Sequence, residues 1–224
     1  MSRNARVDVG GEIYHVINRA NGRFKIFDED KDYKLFEQLL LETKELNGMR
    51  ILAYVIMPNH WHLVLYPKND GDLGVFMQRL TNAHTRKVHA KTGTNGNGHL
   101  YQGRYKSFLV DSENYLLSVI KYVERNPVRA KLVISCEDWE WGSAYFRLAR
   151  KRKNVELIDL PPINLPIDYK QWINAPEKQD EVDTIRISVN KSVPYGGEGW
   201  VEKMVVKHKL ESTLKSPGRP KKRI

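Results

Sequence analysis

His60-Trp61-His62 is the first place where residue types and spacing point to chemistry. On a β-strand, residues two apart share a face, so the two imidazoles would stand side by side while Trp61 points to the opposite side. Neutral imidazole binds divalent transition metals, and hard cations accept it when amide, carboxylate or phosphate oxygens complete the shell. Two hydrogen-bonded sheet histidines would look the same, so the pair gains meaning only if other groups converge on it. The second candidate is Tyr122-Val-Glu-Arg-Asn126, whose four-residue spacing sets a phenol and a carboxamide on one helix face. Pro127 disfavours helical geometry at Asn126 and removes a backbone donor, leaving that amide at a helix end where it can turn toward a ligand. A core tyrosine followed by a C-capping asparagine would show the same spacing.

The elements that must position these groups follow from periodicity. Alternation over residues 13–18, ended by Asn21-Gly22, predicts a first strand. Residues 30–47 place Leu35, Phe36, Leu39, Leu40 and Leu46 at helical spacing, with Asn47-Gly48 as a stop. Residues 50–57 and 60–66 are β-prone runs joined by Pro58-Asn59 and predict neighbouring antiparallel strands. A second helix over 71–91, a flexible loop over 92–98, a strand over 104–110 and a third helix over 113–125 complete the order, with Asp111 or Ser112 as cap and Pro127 as stop. The chain is therefore α+β, a ferredoxin-like or RRM-like βαββαβ antiparallel sheet with helices on one face, a free face for a ligand and a C-terminal extension. Residues 1–154 form the main domain, 155–184 a proline-marked linker, 185–215 a small helical appendage and 216–224 a disordered basic tail.

Composition narrows the partners. The 224 residues carry 37 Lys and Arg against 27 Asp and Glu, a net charge of +10 that attracts polyanions, with nucleic acid foremost. Six basic residues (Arg79, Arg86, Lys87, Lys91, Arg104, Lys106) face one acid between positions 71 and 109, five of the seven residues 147–153 are basic, and a third cluster closes the chain. Interleaved with Tyr101, Tyr105 and Phe108, they predict a groove that tracks a phosphate backbone and offers stacking platforms. The apolar run 51–57 is far shorter than the ~20 residues that span a bilayer, and no signal peptide follows the basic start, so no membrane partner is expected. One cysteine, Cys136, excludes an internal disulfide framework and a multi-cysteine zinc site. His84, His89, His99 and His208 are expected at the surface without a role, and His15 as a sheet residue. A monomer and a homodimer are both compatible with the sequence.

MPNHWHLVL (57–65), the preceding Ala53-Tyr54-Val55, GHLYQGRYKSFLVDSENYLL (98–117), YVERNPVRAKLV (122–133) and the opening YHVINRANGRFKIFDEDKDYKLF (14–36) together resemble the REP-associated tyrosine transposases, relatives of the single-tyrosine HUH transposases of small insertion sequences. The resemblance covers about residues 12–145. It implies that His60 and His62 are metal ligands, Asn126 the third, the metal Mg²⁺ or Mn²⁺, and Tyr122 the nucleophile, with Tyr115 the rival phenol. It further implies a bacterial, cytoplasmic, nucleoid-associated protein that cuts and rejoins single-stranded DNA at hairpin elements through a 5′-phosphotyrosine. Arg79, Arg86, Lys87, Arg104, Lys106 and Arg219 are the candidate DNA-binding residues. Arg219 sits in a Gly-Arg-Pro core that resembles an AT-hook, a segment that lies in the narrow minor groove of A·T-rich duplex. Two other classes stay open: a non-catalytic RRM-like nucleic-acid-binding module, and a phosphodiesterase that uses metal-activated water.

Overall fold

Strong alternation and β-branched residues build four strands, and charged amphipathic runs build the helices between them. In the computed structural model, which describes residues 6–94, 98–112, 114–148 and 155–214, the order is β1 (Ile13–Arg19), α1 (Asp30–Asn47), β2 (Arg50–Met57), β3 (His60–Tyr66), α2 (Asp72–Thr92) and β4 (Lys106–Val110). The strands align as β2-β3-β1-β4, every pair antiparallel, which is the expected split βαβ arrangement. The last strand begins at Lys106, two residues later than its sequence pattern indicates.

One sheet face packs on α1 and α2. Tyr14, Val16, Trp61, Leu63 and Leu65 meet Phe36, Leu40, Phe76 and Leu80 there, all essentially without solvent contact. Each fully buried Leu, Ile or Phe side chain contributes about 1.5–3 kcal/mol, so this layer supplies much of the fold's stability. Asp32, at the start of α1, accepts N–H bonds from Asp28 and Glu29 at 3.2 and 3.1 Å and an ammonium bond from Lys91 at 2.5 Å, which ties the start of α1 to the end of α2. Gly48 ends α1 at φ 61°, a left-handed conformation that glycine adopts without strain. Leu46, expected on the apolar face, is exposed, because it lies in the last turn beyond the edge of the sheet contact.

His84 on α2 is not a surface residue. It is fully buried and lies parallel to Phe27 at 5.1 Å. The Tyr101 hydroxyl accepts the Trp61 indole N–H at 3.0 Å and so donates its own proton to His84 Nδ1 at 2.7 Å, while His84 Nε2 has no partner among the described residues. Burial lowers its pKa to about 3. The folded pKa is depressed below the unfolded value, so the contribution is complete above about pH 6.5 and is lost as pH falls toward 3. His84→Gln, which keeps an acceptor for Tyr101, is expected to reduce the slope of unfolding free energy against pH in that window by about 1.4 kcal/mol per pH unit. Urea unfolding at several pH values measures it, and parallel slopes for variant and wild type would contradict the account.

The second sheet face is not free. Helix α3 (Asn114–Glu124) lies across it, with Leu116, Val119, Ile120 and Val123 against Leu52, Val55, Val64, Phe108 and Val110. Chain beyond α3 continues through α4 (Asn126–Arg129), α5 (Ser143–Leu148), α6 (Tyr169–Asn174), α7 (Gln179–Lys191), α8 (Glu198–His208) and α9 (Glu211–Leu214). Pro127 therefore ends α3 but occupies the first turn of α4, where its missing N–H removes no helical hydrogen bond. The stretch read as a linker is docked: Leu157 and Ile173 are buried, and Val182 and Ile185 of α7 join the α3 layer. Tyr195 bridges in parallel to Val110, donating to Leu109 and accepting from Asp111 at 2.8 Å each, and so covers the free edge of β4. The basic tail, Arg219 included, lies outside the described residues.

Candidate active site

Strand register puts the histidines where spacing alone placed them. His60 pairs with Arg19, Trp61 with Asn18 and His62 with Ile17, so both imidazoles point to the α3 side and Trp61 to the α1/α2 side. Their rings are 5.2 Å apart. The Asn59 carboxamide donates through Nδ2 to the Arg23 carbonyl at 3.1 Å, which fixes its orientation and turns Oδ1 to His60 Nδ1 at 2.6 Å. An amide oxygen only accepts, so His60 carries its proton on Nδ1 and presents Nε2 as a bare lone pair.

His62 is held by a residue expected only to take a place in the sheet. His15, on the neighbouring strand and wholly buried, sets Nε2 2.8 Å from His62 Nδ1, and Phe108 packs on the His15 ring at 4.8 Å. When His62 donates in this bond, its Nε2 is a lone pair like that of His60. Burial keeps the rings neutral. It pushes His15 down to about 3 and His60 to about 4, with Arg19 adding to the latter effect, and it lowers His62 well below the ordinary imidazole range with help from His15, His60 and Arg129.

Tyr122 completes the group from α3. Its ring stands edge-on to His62 at 5.9 Å and to His15 at 6.2 Å, and it is 7% exposed. Among the described residues nothing hydrogen-bonds to its hydroxyl. Asn126 opens α4 one turn further on, and its amide nitrogen is buried with no hydrogen-bond partner among the described residues. The rival phenol, Tyr115, packs instead against Tyr195 at 5.3 Å, two turns toward the start of α3.

The basic residues divide between two places. Arg104 and Lys106, with Arg19, line a cavity of about 270 Å³ on the strand edge beside His60. Arg79, Arg86 and Lys87 are exposed on α2, in the layer on the other side of the sheet from the histidines. The expected stacking platforms are not available: Tyr101, Tyr105 and Phe108 are all buried, Tyr101 by its bonds to Trp61 and His84 and Tyr105 under the Arg6 guanidinium at 4.0 Å. Arg147, first of the second basic cluster, is likewise removed from any ligand surface by its ion pair with buried Glu124 at 3.2 Å.

A family model described as "Transposase IS200 like" matches residues 9–126, which begins just before β1 and ends on Asn126, and the chain belongs to that family of DNA-processing proteins. A curated relative within reach of sequence comparison is the REP-associated tyrosine transposase of Escherichia coli strain K12, 22% identical over 142 residues that make up 63% of this chain and 81% of the relative. The fold is also that of a solved REP-associated tyrosine transposase bound to a REP hairpin, at TM-score 0.56 and 19% identity over 67% of this chain and 87% of the other. No described helix is long and apolar enough to cross a membrane.

Proposed function

We propose that the protein is a transesterase of single-stranded DNA that cuts and rejoins strands beside hairpin elements, with Tyr122 as nucleophile. The observation that carries this reading is the placement of the Tyr122 ring 5.9 Å from His62, on the sheet face that His60 shares. Tyr122 Oη forms a bond to the phosphorus, the bond from phosphorus to the 3′ oxygen breaks, and a 5′-phosphotyrosine and a free 3′-hydroxyl result. The phenol gives up its proton and the leaving oxygen takes one up, so no water is consumed and the 3′-hydroxyl of another strand can reverse the step. That exchange distinguishes a strand transferase from a nuclease. The hairpin is inferred from the structural relative, which holds one.

The residues present fit a divalent cation. Among the described residues no three His, Cys, Asp and Glu side chains gather as a metal site, so a cation here would rest on two imidazoles and an amide. His60 and His62 are neutral, each has its Nδ1 engaged by protein, and Asn126 offers a carboxamide oxygen, its amide nitrogen being buried with no partner among the described residues. These three residues would hold Mg²⁺ or Mn²⁺, which when bound would offset charge on the phosphate oxygens during displacement. His15 and Asn59 orient the two rings. Arg19, Arg104 and Lys106 offer positive charge to the strand next to the cut, and the burial of Tyr122 limits the access of competing water.

The direct test incubates the protein with 3′-labelled single-stranded hairpin oligonucleotides in Mg²⁺ and looks for a labelled adduct that survives denaturation. An adduct supports the proposal; binding without cutting would favour an RRM-like module, and cutting without an adduct a water-using phosphodiesterase. His60→Ala and His62→Ala are expected to abolish adduct formation even at high Mn²⁺, and Asn126→Ala to reduce it less, because water can replace one neutral oxygen ligand. Adduct formation that persists in EDTA would remove the metal from the reading.

A further inference from the structure

The clamp on Tyr122 comes from chain beyond the family match. Arg129, on α4, lies with its guanidinium 4.2 Å over the Tyr122 ring and donates from Nη2 to the Tyr122 carbonyl at 2.5 Å. Its Nη1 donates to both oxygens of Glu177, at 2.8 and 2.7 Å. Glu177 sits between α6 and α7, is 8% exposed, and also accepts from Arg125 Nε at 3.2 Å. Arg125 in turn donates to the Ile173 carbonyl at 2.9 Å. One buried carboxylate thus locks two arginines that flank the end of α3, and one of them covers the face of the phenol ring. Both Arg129 and Glu177 fall after residue 126, where the family match ends.

We propose that Glu177 and Arg129 are positioning residues for Tyr122: Glu177 fixes the plane of the Arg129 guanidinium, and that plane fixes the rotation of the phenol toward the His60 and His62 side. The proposal rests on Tyr122 being the nucleophile. A phenol attacks phosphorus only in line with the leaving oxygen, so a ring free to rotate about its side-chain bonds spends less time aimed. Lysine cannot replace Arg129, because a single ammonium nitrogen has no plane to lay on the ring and cannot hold Glu177 and the Tyr122 carbonyl with two separate nitrogens as Nη1 and Nη2 do.

Glu177→Gln retains an acceptor for Arg125 and weakens the charged contact to Arg129 Nη1; Arg129→Lys keeps the charge and removes the stacked plane. Each is expected to slow adduct formation on saturating 3′-labelled hairpin DNA by about 10- to 100-fold, the scale of a misaligned reacting group, with hairpin affinity within about twofold of wild type. A DNA-free measurement accompanies it. In the proton spectrum of the apoprotein the Arg129 side chain is expected to lie upfield under the Tyr122 ring current, an assignment to be made with Tyr122→Leu, and Glu177→Gln is expected to shift it back toward the ordinary arginine position. Adduct rates for folded Glu177→Gln and Arg129→Lys within twofold of wild type overturn the proposal, and so does an Arg129 signal unmoved by Glu177→Gln. Should Tyr122→Phe form adduct as well as wild type, the nucleophile assignment is what fails, and the Arg129 signal still reports whether Glu177 sets the stack.

Discussion

Tyr122→Phe is expected to form no DNA adduct, a loss of at least about 10³-fold, because the substitution removes the one oxygen that would attack phosphorus. The remainder of the site should survive. The ring keeps its places beside His62 and under Arg129, and no described residue loses a hydrogen bond when the hydroxyl goes. Stability should change by less than about 0.5 kcal/mol, and hairpin affinity by no more than a few fold. Gel analysis of denatured reactions measures the adduct, and a binding titration on the same preparation measures affinity. Undiminished adduct in Tyr122→Phe, or its loss in Tyr115→Phe alone, would move the nucleophile elsewhere.

Glu124→Ala should be among the most destabilising single changes in the protein, by about 3–5 kcal/mol, the range for removing one partner of a buried ion pair. The Glu124 side chain has no solvent exposure. It accepts from Ser143 Oγ at 2.5 Å, from Arg147 Nε at 3.2 Å and from the Tyr169 hydroxyl. Ser143 Oγ also accepts the Tyr54 N–H at 3.0 Å, so this carboxylate joins α3, β2, α5 and α6. Alanine would leave the Arg147 guanidinium buried without a carboxylate, against the Leu52 carbonyl and the Tyr169 ring, and would remove the acceptor of the Tyr169 hydroxyl, while Ser143 Oγ could still donate to the Tyr54 carbonyl. Glu124→Leu combined with Arg147→Met should recover much of the loss, since the cost lies in the unpaired charge and not in the absence of a pair. Urea unfolding of the single and double variants decides it; a single-variant loss below about 1 kcal/mol would show that water reaches the cluster.

The strand pattern was readable because its signals are local: residues 13–18 alternate, residues 60–66 are a β-prone run, and the two-residue period of a strand sends His60 and His62 to one face and Trp61 to the other. The covered second face was also written in β2, where Arg-Ile-Leu-Ala-Tyr-Val-Ile-Met is apolar on both sides and seven of the eight residues are buried. A strand with one wet face does not look like that. Aromatic type, by contrast, cannot tell a stacking platform from a core residue, and Tyr101 and Tyr105 proved to be core. His15 and Glu177 were out of reach for another reason. The partners they hold, His62 and Arg129, are 47 and 48 residues away along the chain, and no short-range period records such contacts. Pro161, Pro162, Pro166 and Pro176 marked residues 155–184 as linker, yet proline reports only the absence of regular structure, not the absence of packing.

The antiparallel register of β3 has an evolutionary corollary. Side chains alternate with a period of two, so inserting or deleting one residue within this strand would turn Trp61 toward α3 and drive two imidazoles into the layer built by Phe36 and Phe76. Such a change would fail as a folding error before its effect on chemistry could matter. The hydrophobic core therefore proofreads the spacing of the histidines: any lineage that keeps a stable sheet through β1 and β3 inherits an aligned pair whether or not DNA cutting is still being selected, and a protein of this kind that had ceased to move DNA would be expected to lose Tyr122 well before it lost the geometry of His60 and His62.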